Sequence, residues 1–203
     1  MLKKISGITL VELLVVLVLS SLLMAAFYRL FIAHQYSYAV QEQVVDTQQN
    51  VRAAMDLMTR EIRMAGYRKD ILSEAGNVSG FTQIVTPVND ANSVGSHDDQ
   101  ITIVIADQAI SYWLQMAGSI PVLVRDDHTG AGPQLVAECI ENLQFQYTLC
   151  DGTVTESPTH PEDIRTIRLT LMARTKVADT QTQGDAYRRR KLTSVIKVRN
   201  LGL

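Results

Sequence analysis

The sequence predicts an α+β protein in which one long N-terminal helix lies on a head of antiparallel strands. Three observations carry that expectation. No proline interrupts residues 8–66, a one-sided apolar stripe runs through the second half of that stretch, and from about residue 71 the apolar period shortens to two. The 203 residues leave room for one domain, on the order of 150 residues being usual, plus a long appended element. A hydrophobic share of 46% with 20% charged residues belongs to an ordinary folded chain and excludes a disordered one. There is no internal repeat.

The helix begins with its most apolar part. After the basic start "MLKKISG", residues Ile8 to Tyr28 are nearly free of polar groups. About 21 residues at ~1.5 Å each are enough to cross ~30 Å of hydrocarbon. Lys3 and Lys4 would hold the N-terminus on the cytoplasmic side while the rest crosses. Within this run stands Glu12, and no Lys, Arg or His lies within one helical turn of it. An ionised carboxylate at that depth costs roughly 2.5–3.5 kcal/mol even on lenient scales. Three readings compete: a secretory signal removed near "LLMAA", a plain anchor, or a run cut after Gly7 and retained. Glu12 favours the third. Cleavage there creates a cationic amine on Ile8, and in a stack of helices the Glu12 of one subunit could meet the Ile8 amine of the next. Such a pair offsets the desolvation that a lone charge could not.

The segment "KKISGITLVELLVVLVLSSLL" resembles the class III signal of type IV pilins and type II secretion pseudopilins. Gly7 matches the residue before cleavage, Ile8 the N-methylated first residue, Thr9 the second position and Glu12 the acid used in assembly docking. Ile8 departs from the usual Phe or Met. The resemblance implies a leader at 1–7 removed by prepilin peptidase, and a membrane or filament-core helix at 8–32. It further implies insertion in a Gram-negative inner membrane, then passage through the pilus assembly platform into a filament of major and minor pilins.

The helix then continues as an amphipathic element over 33–66. Val40, Val44, Val51, Met55, Met58, Ile62 and Ala65 recur on one face, with polar residues between them, and Gly66 is the expected C-cap. Met55 and Met58 read as core contacts. His34, Tyr36 and Tyr38 read as an interfacial belt rather than a metal site.

The head, 67–203, is expected in the periplasm. Strands are predicted at 100–106, 109–115, 120–125, 142–149, 165–174 and 192–200, forming one half-exposed antiparallel sheet on the helix. Residues 73–98, 126–133 and 151–163 read as loops by their Gly, Pro, Asn and Asp content. The head is similar to the PilW family of minor pilins in "ISYWLQMAGSIPVLVRDDHTGAGPQLVAECIENLQFQY", "DIRTIRLTLMAR" and "YRRRKLTSVIKVRN", with related features in J-type pseudopilins. That resemblance implies a subunit that helps start pilus assembly near the tip, beside other minor pilins, with an adhesin role as a further alternative.

The remaining constellations are weaker. Cys139 and Cys150 could pair in an oxidising compartment, but a straight "NLQFQYTL" between them would hold the ends more than ~20 Å apart. Free thiols are the other reading. Asp98, Asp99, Asp126, Asp127, Asp151 and Asp163 stand in no D-x-D-x-D-G loop and read as solvated turn acids, so no metal is expected. "RRRK" at 188–191 reads as a guard on a sheet edge, and the net charge of −2 gives no case for nucleic acid. No G-x-S-x-G, HExxH, P-loop or dinucleotide motif occurs, and His97, His128 and His160 fall in loop-like segments. Neither a catalytic role nor a cofactor is expected.

Overall fold

The computed structural model describes residues 9–92, 98–179 and 185–201. The chain divides into two compact units, Met1–Glu42 and Gln43–Leu203. Helix α1 covers Leu10–Met64, close to the 8–66 read from sequence.

In the first unit the helix from Leu10 to Tyr28 is apolar but for Glu12, Ser20 and Ser21, and its side chains are exposed, Leu10 by 80% and Phe27 by 66%. Its most apolar window reaches a mean hydropathy of 2.6 with none of it buried, and by length and composition it can cross a membrane. Two serine hydroxyls within it turn inward: Ser21 donates to the Val18 carbonyl at 2.7 Å and Ser37 to that of Ala33 at 3.1 Å. Satisfying these groups inside the helix keeps its outer surface apolar.

In the second unit the rest of α1 buries Thr47, Val51, Ala54, Met55, Met58 and Ile62. The expected stripe holds from Val51 onward, and Thr47 and Ala54 join it, whereas Val44 stays half-buried. The helix stops at Gly66, whose φ of +75° an L-side chain rarely adopts. The Gly66 N–H donates to the Val104 carbonyl at 2.8 Å. A Cβ on Gly66 would come within 3.1 Å of Ile84 and 3.2 Å of Asn200. A short helix α2, Lys69–Ala75, follows.

The head holds two antiparallel sheets where the sequence led us to expect one. The first is a meander of β1 (Val85–Asn92), β2 (Asp98–Ile105), β3 (Gln108–Ala117), β4 (Ile120–Asp126) and β5 (Gln134–Glu138), in chain order. The second runs β7 (Val154–Thr155), β6 (Ile140–Leu149), β8 (Ile164–Arg174), β9 (Arg189–Lys197). All six expected strands are present. The expected loops 73–98 and 151–163 are not wholly loops. The first contributes the end of α2, β1 and the start of β2, and the second contributes β7 and a 3-10 turn at Pro161–Asp163. β1 was hidden by its "VTPVNDAN" sequence, whose Pro87 a sheet accepts because β1 lies at an edge. β5 has only five residues, too few for an alternation to show.

One core joins the helix to both sheets: Met58 and Ile62 with Ile101, Tyr112 and Leu123 of the first sheet and Phe145, Tyr147, Leu169 and Ile196 of the second. The outer side of the first sheet is not simply wet. Val104 and Ala109 are buried there with Val78, packed on by Leu72 and Phe81. Asp99 ties the sheets together, its Oδ2 accepting the Phe145 N–H of β6 at 2.7 Å.

Candidate functional site

The helix start is built by Thr9. Its hydroxyl oxygen accepts the Glu12 N–H at 3.2 Å, and its carbonyl accepts the Leu13 N–H at 3.2 Å. Thr9 is therefore the N-cap, and Thr-Leu-Val-Glu has the spacing of a capping box, with Glu12 at N3. This local role was not drawn from the sequence, although its signature was there. Glu12 lies exposed in the first turn, flanked by Val11 at 70% and Leu13 at 57% exposure. No cation reaches its carboxylate among the described residues. Gly7 and Ile8 lie outside the described residues. The helix start thus presents a lone acid on an apolar cylinder, a group able to accept a cation from another molecule. His34, Tyr36 and Tyr38 lie farther along the same helix, His34 and Tyr38 exposed and Tyr36 partly so.

The head carries two polar clusters. In the first, the Tyr112 hydroxyl donates to Glu61 Oε2 at 2.5 Å, and Arg125 Nε donates to both Glu61 oxygens at 3.2 and 3.3 Å. Burial first, then the Glu61 carboxylate, hold the Tyr112 phenol well above its ordinary range. The cluster fastens α1 to β3 and β4. Sequence spacing gave no hint of it, because its members stand 51 and 64 residues apart.

The second cluster has the atoms of a nucleophile and base but not the access. Ser111 Oγ lies 2.8 Å from His128 Nε2 and 2.7 Å from Thr102 Oγ1. Ser111 and Thr102 are each only 1% exposed, so a substrate carbonyl could not approach. The chain of hydroxyls anchors the 126–130 turn instead, with His128 also packed against Phe81 at 5.1 Å between ring centroids. His160 is exposed beside Glu162, and His97 lies outside the described residues.

The remaining acids and the two cysteines form no cluster among the described residues. Asp126, Asp127 and Asp151 are turn acids, accepting the N–H groups of His128, Thr129 and Thr153. The Thr129 hydroxyl and then its N–H hold Asp127 below the usual carboxylate range, and the Thr153 N–H and then its hydroxyl do the same for Asp151. Asp99 corrects the turn reading: it belongs to β2 and is only 5% exposed. Among the described residues no three His, Cys, Asp or Glu side chains gather as metal ligands. Both cysteines are free thiols. Cys139 is buried at the bend between β5 and β6 with φ +60°, and Cys150 is exposed past the far end of β6, so an extended strand keeps them apart. Burial pushes the Cys139 thiol up.

Residues 2–28 match the family model described as the prokaryotic N-terminal methylation motif. A search of curated protein sequences finds no match. Among solved structures the chain is similar to the type IV-like pilin TTHA1219 from Thermus thermophilus, at 13% identity, covering 76% of this chain and 98% of that one with a TM-score of 0.46. The N-terminal methylation motif at residues 2–28 thus stands at the start of a long apolar helix, which continues into a head of antiparallel sheets.

Proposed function

We propose that this chain is a minor pilin that helps initiate assembly of a type IV pilus and is incorporated at or near its tip. The leader 1–7 is removed after Gly7 by prepilin peptidase, and Ile8 is then N-methylated. Residues 8–32 anchor the subunit in the inner membrane and later enter the filament core, 33–66 continue the helix, and 67–203 form the periplasmic head. The observation that carries this reading is Glu12, an exposed acid with no cation in reach among the described residues, in the first turn of a 55-residue helix whose early surface is apolar. An anchor gains nothing from such an acid, whereas a stack of processed subunits can neutralise it with the Ile8 amine of a neighbour. The head sequence's resemblance to PilW proteins supports the minor-pilin role over that of a J-type pseudopilin.

Three experiments test this. Deletion of the gene in its host, followed by counting surface pili and assaying secreted proteins, should remove pili and leave secretion intact. Normal pili with failed secretion would instead assign the chain to a secretion pseudopilus, and loss of neither would leave a tethered binding module as the better reading. In the second, Glu12→Gln keeps the N3 residue that a capping box accepts while removing the charge. We expect normal processing and loss of filament incorporation, by immunoblot of sheared pili against membranes. Wild-type incorporation would sink the docking role of the charge. Gly7→Val should block processing more than Gly7→Ala, since the peptidase must accommodate the residue before the scissile bond.

A further inference from the structure

The outer face of the second sheet carries a pocket of about 180 Å³ that neither the assembly reading nor the core explains. Its walls come from three strands in register. Gln144 and Gln146 of β6 stand opposite Thr170 and Arg168 of β8, and Thr170 stands opposite Thr193 of β9. Lys191, two residues before Thr193, closes the pocket from the other side, and Glu156 from the turn after β7 completes the lining. Residues two apart on a strand share a face, so these side chains all rise from the same surface.

The cations are held ready and unneutralised. Arg168 Nη1 donates to Gln146 Oε1 at 3.1 Å, which orients the guanidinium while leaving its other N–H groups open. Neither Arg168 nor Lys191 has a carboxylate in ion-pair reach among the described residues, whereas Arg188 and Arg189, just before Lys191 on the chain, do. At the floor, Thr170 is 8% exposed and its hydroxyl lies 3.2 Å from that of Thr193. Two unpaired cations ask for an anion. The amides, the hydroxyls and above all Glu156 ask for something more, because a carboxylate in the lining accepts from hydroxyl donors and repels a ligand that is anionic throughout. The volume lies below the ~300–1,000 Å³ of drug-sized sites, so one small ring fits and an extended chain does not.

We propose that this pocket binds a polyhydroxylated carboxylate of monosaccharide size, a sugar acid, with its carboxylate between Arg168 and Lys191 and its hydroxyls on the two glutamines, the Thr170–Thr193 pair and Glu156. The proposal does not rest on the pilus reading, since the pocket lies wholly within the head. It is tested with the full chain in detergent micelles, titrated with D-glucuronate, D-glucose, acetate and inorganic phosphate by ligand-observed NMR. Saturable binding of glucuronate is expected, at least tenfold tighter than that of the other three. Lys191→Gln and Arg168→Ala should each weaken it fivefold or more, and Glu156→Gln should weaken glucuronate while improving phosphate. The Lys191 side chain makes no hydrogen bond or ion pair among the described residues, so its variant carries the test even if Arg168→Ala loosens the sheet. The proposal is overturned if glucuronate shows no saturation, if Lys191→Gln binds it unchanged, or if acetate or phosphate matches it. Equal acetate binding would mark a receptor for acidic protein side chains, and equal phosphate binding a general anion patch.

Discussion

At the scale of single residues, the two cysteines show how a position decides chemistry. Cys139 is buried, its thiol is pushed up by desolvation, and it sits at φ +60°. Cys150 is exposed, its sulfur 3.5 Å from Asp163. Alkylation of the native full chain at pH 8 should therefore modify Cys150 within minutes and Cys139 only after denaturation, as intact-mass spectrometry would show. A native chain that takes no label until reduced would mean a disulfide and a different path for β6. The sequence already contained half of this result, because the strand length between the cysteines argued against a bridge. It could not say which thiol was buried, since that depends on the bend joining two sheets that no local pattern announces.

At the scale of elements, α1 ends at a position where only glycine fits. Gly66→Ala combines a left-handed backbone, costing roughly 1–2 kcal/mol for an L-residue, with a Cβ pressed against Ile84 and Asn200. We expect a loss of about 2 kcal/mol or slightly more in urea unfolding of the head, and a loss under 0.5 kcal/mol would refute the close packing. The glycine was legible as a helix stop from sequence, but its contact with Ile84 was not, because residues 73–98 offered no readable strand or packing face. Asp99 is a second such case. It reaches β6 at Phe145, beyond the short reach of β7, which pairs only with Tyr147 and Thr148. Removing the acceptor by Asp99→Ala leaves a buried N–H unsatisfied, which costs about 1–3 kcal/mol. Hydrogen exchange at the Phe145 amide should accelerate in that variant, and unchanged protection would show that the bond does not hold the sheets.

At the scale of the whole molecule, the head responds to alkali through two buried phenols. Tyr112 and Tyr147 are both pushed up from the ordinary 10.0, by burial first and then by the Glu61 and Asp99 carboxylates respectively. Above pH 10 the unfolded chain releases phenolic protons that the native head retains. Stability is thus fully present below pH 10 and falls as pH rises, by about 1.4 kcal/mol per pH unit for each such tyrosine. Urea unfolding between pH 9 and 11 should show this fall, and Tyr112→Phe should make it shallower. An unchanged slope would mean that Tyr112 is not protected in solution. The overall class was readable because a helix period followed by a strand period is a local signal. The split into two sheets was not, since it is made at the bend at Cys139 between β5 and β6 and tied by Asp99 reaching Phe145, 46 residues away.

The Thr9 cap also has an electrical consequence. It fixes where the exposed N–H groups of α1 begin, and with them the positive pole of the helix macrodipole. Under the proposed cleavage, the residue directly before that cap acquires an ammonium, a cation at the pole that disfavours cations by roughly 0.3–1 kcal/mol. The uncut precursor carries only a neutral amide there. Processing would then do more than free the subunit from its leader. It would leave each helix with a charge that its own geometry rejects, at the end where the next subunit can bring a carboxylate.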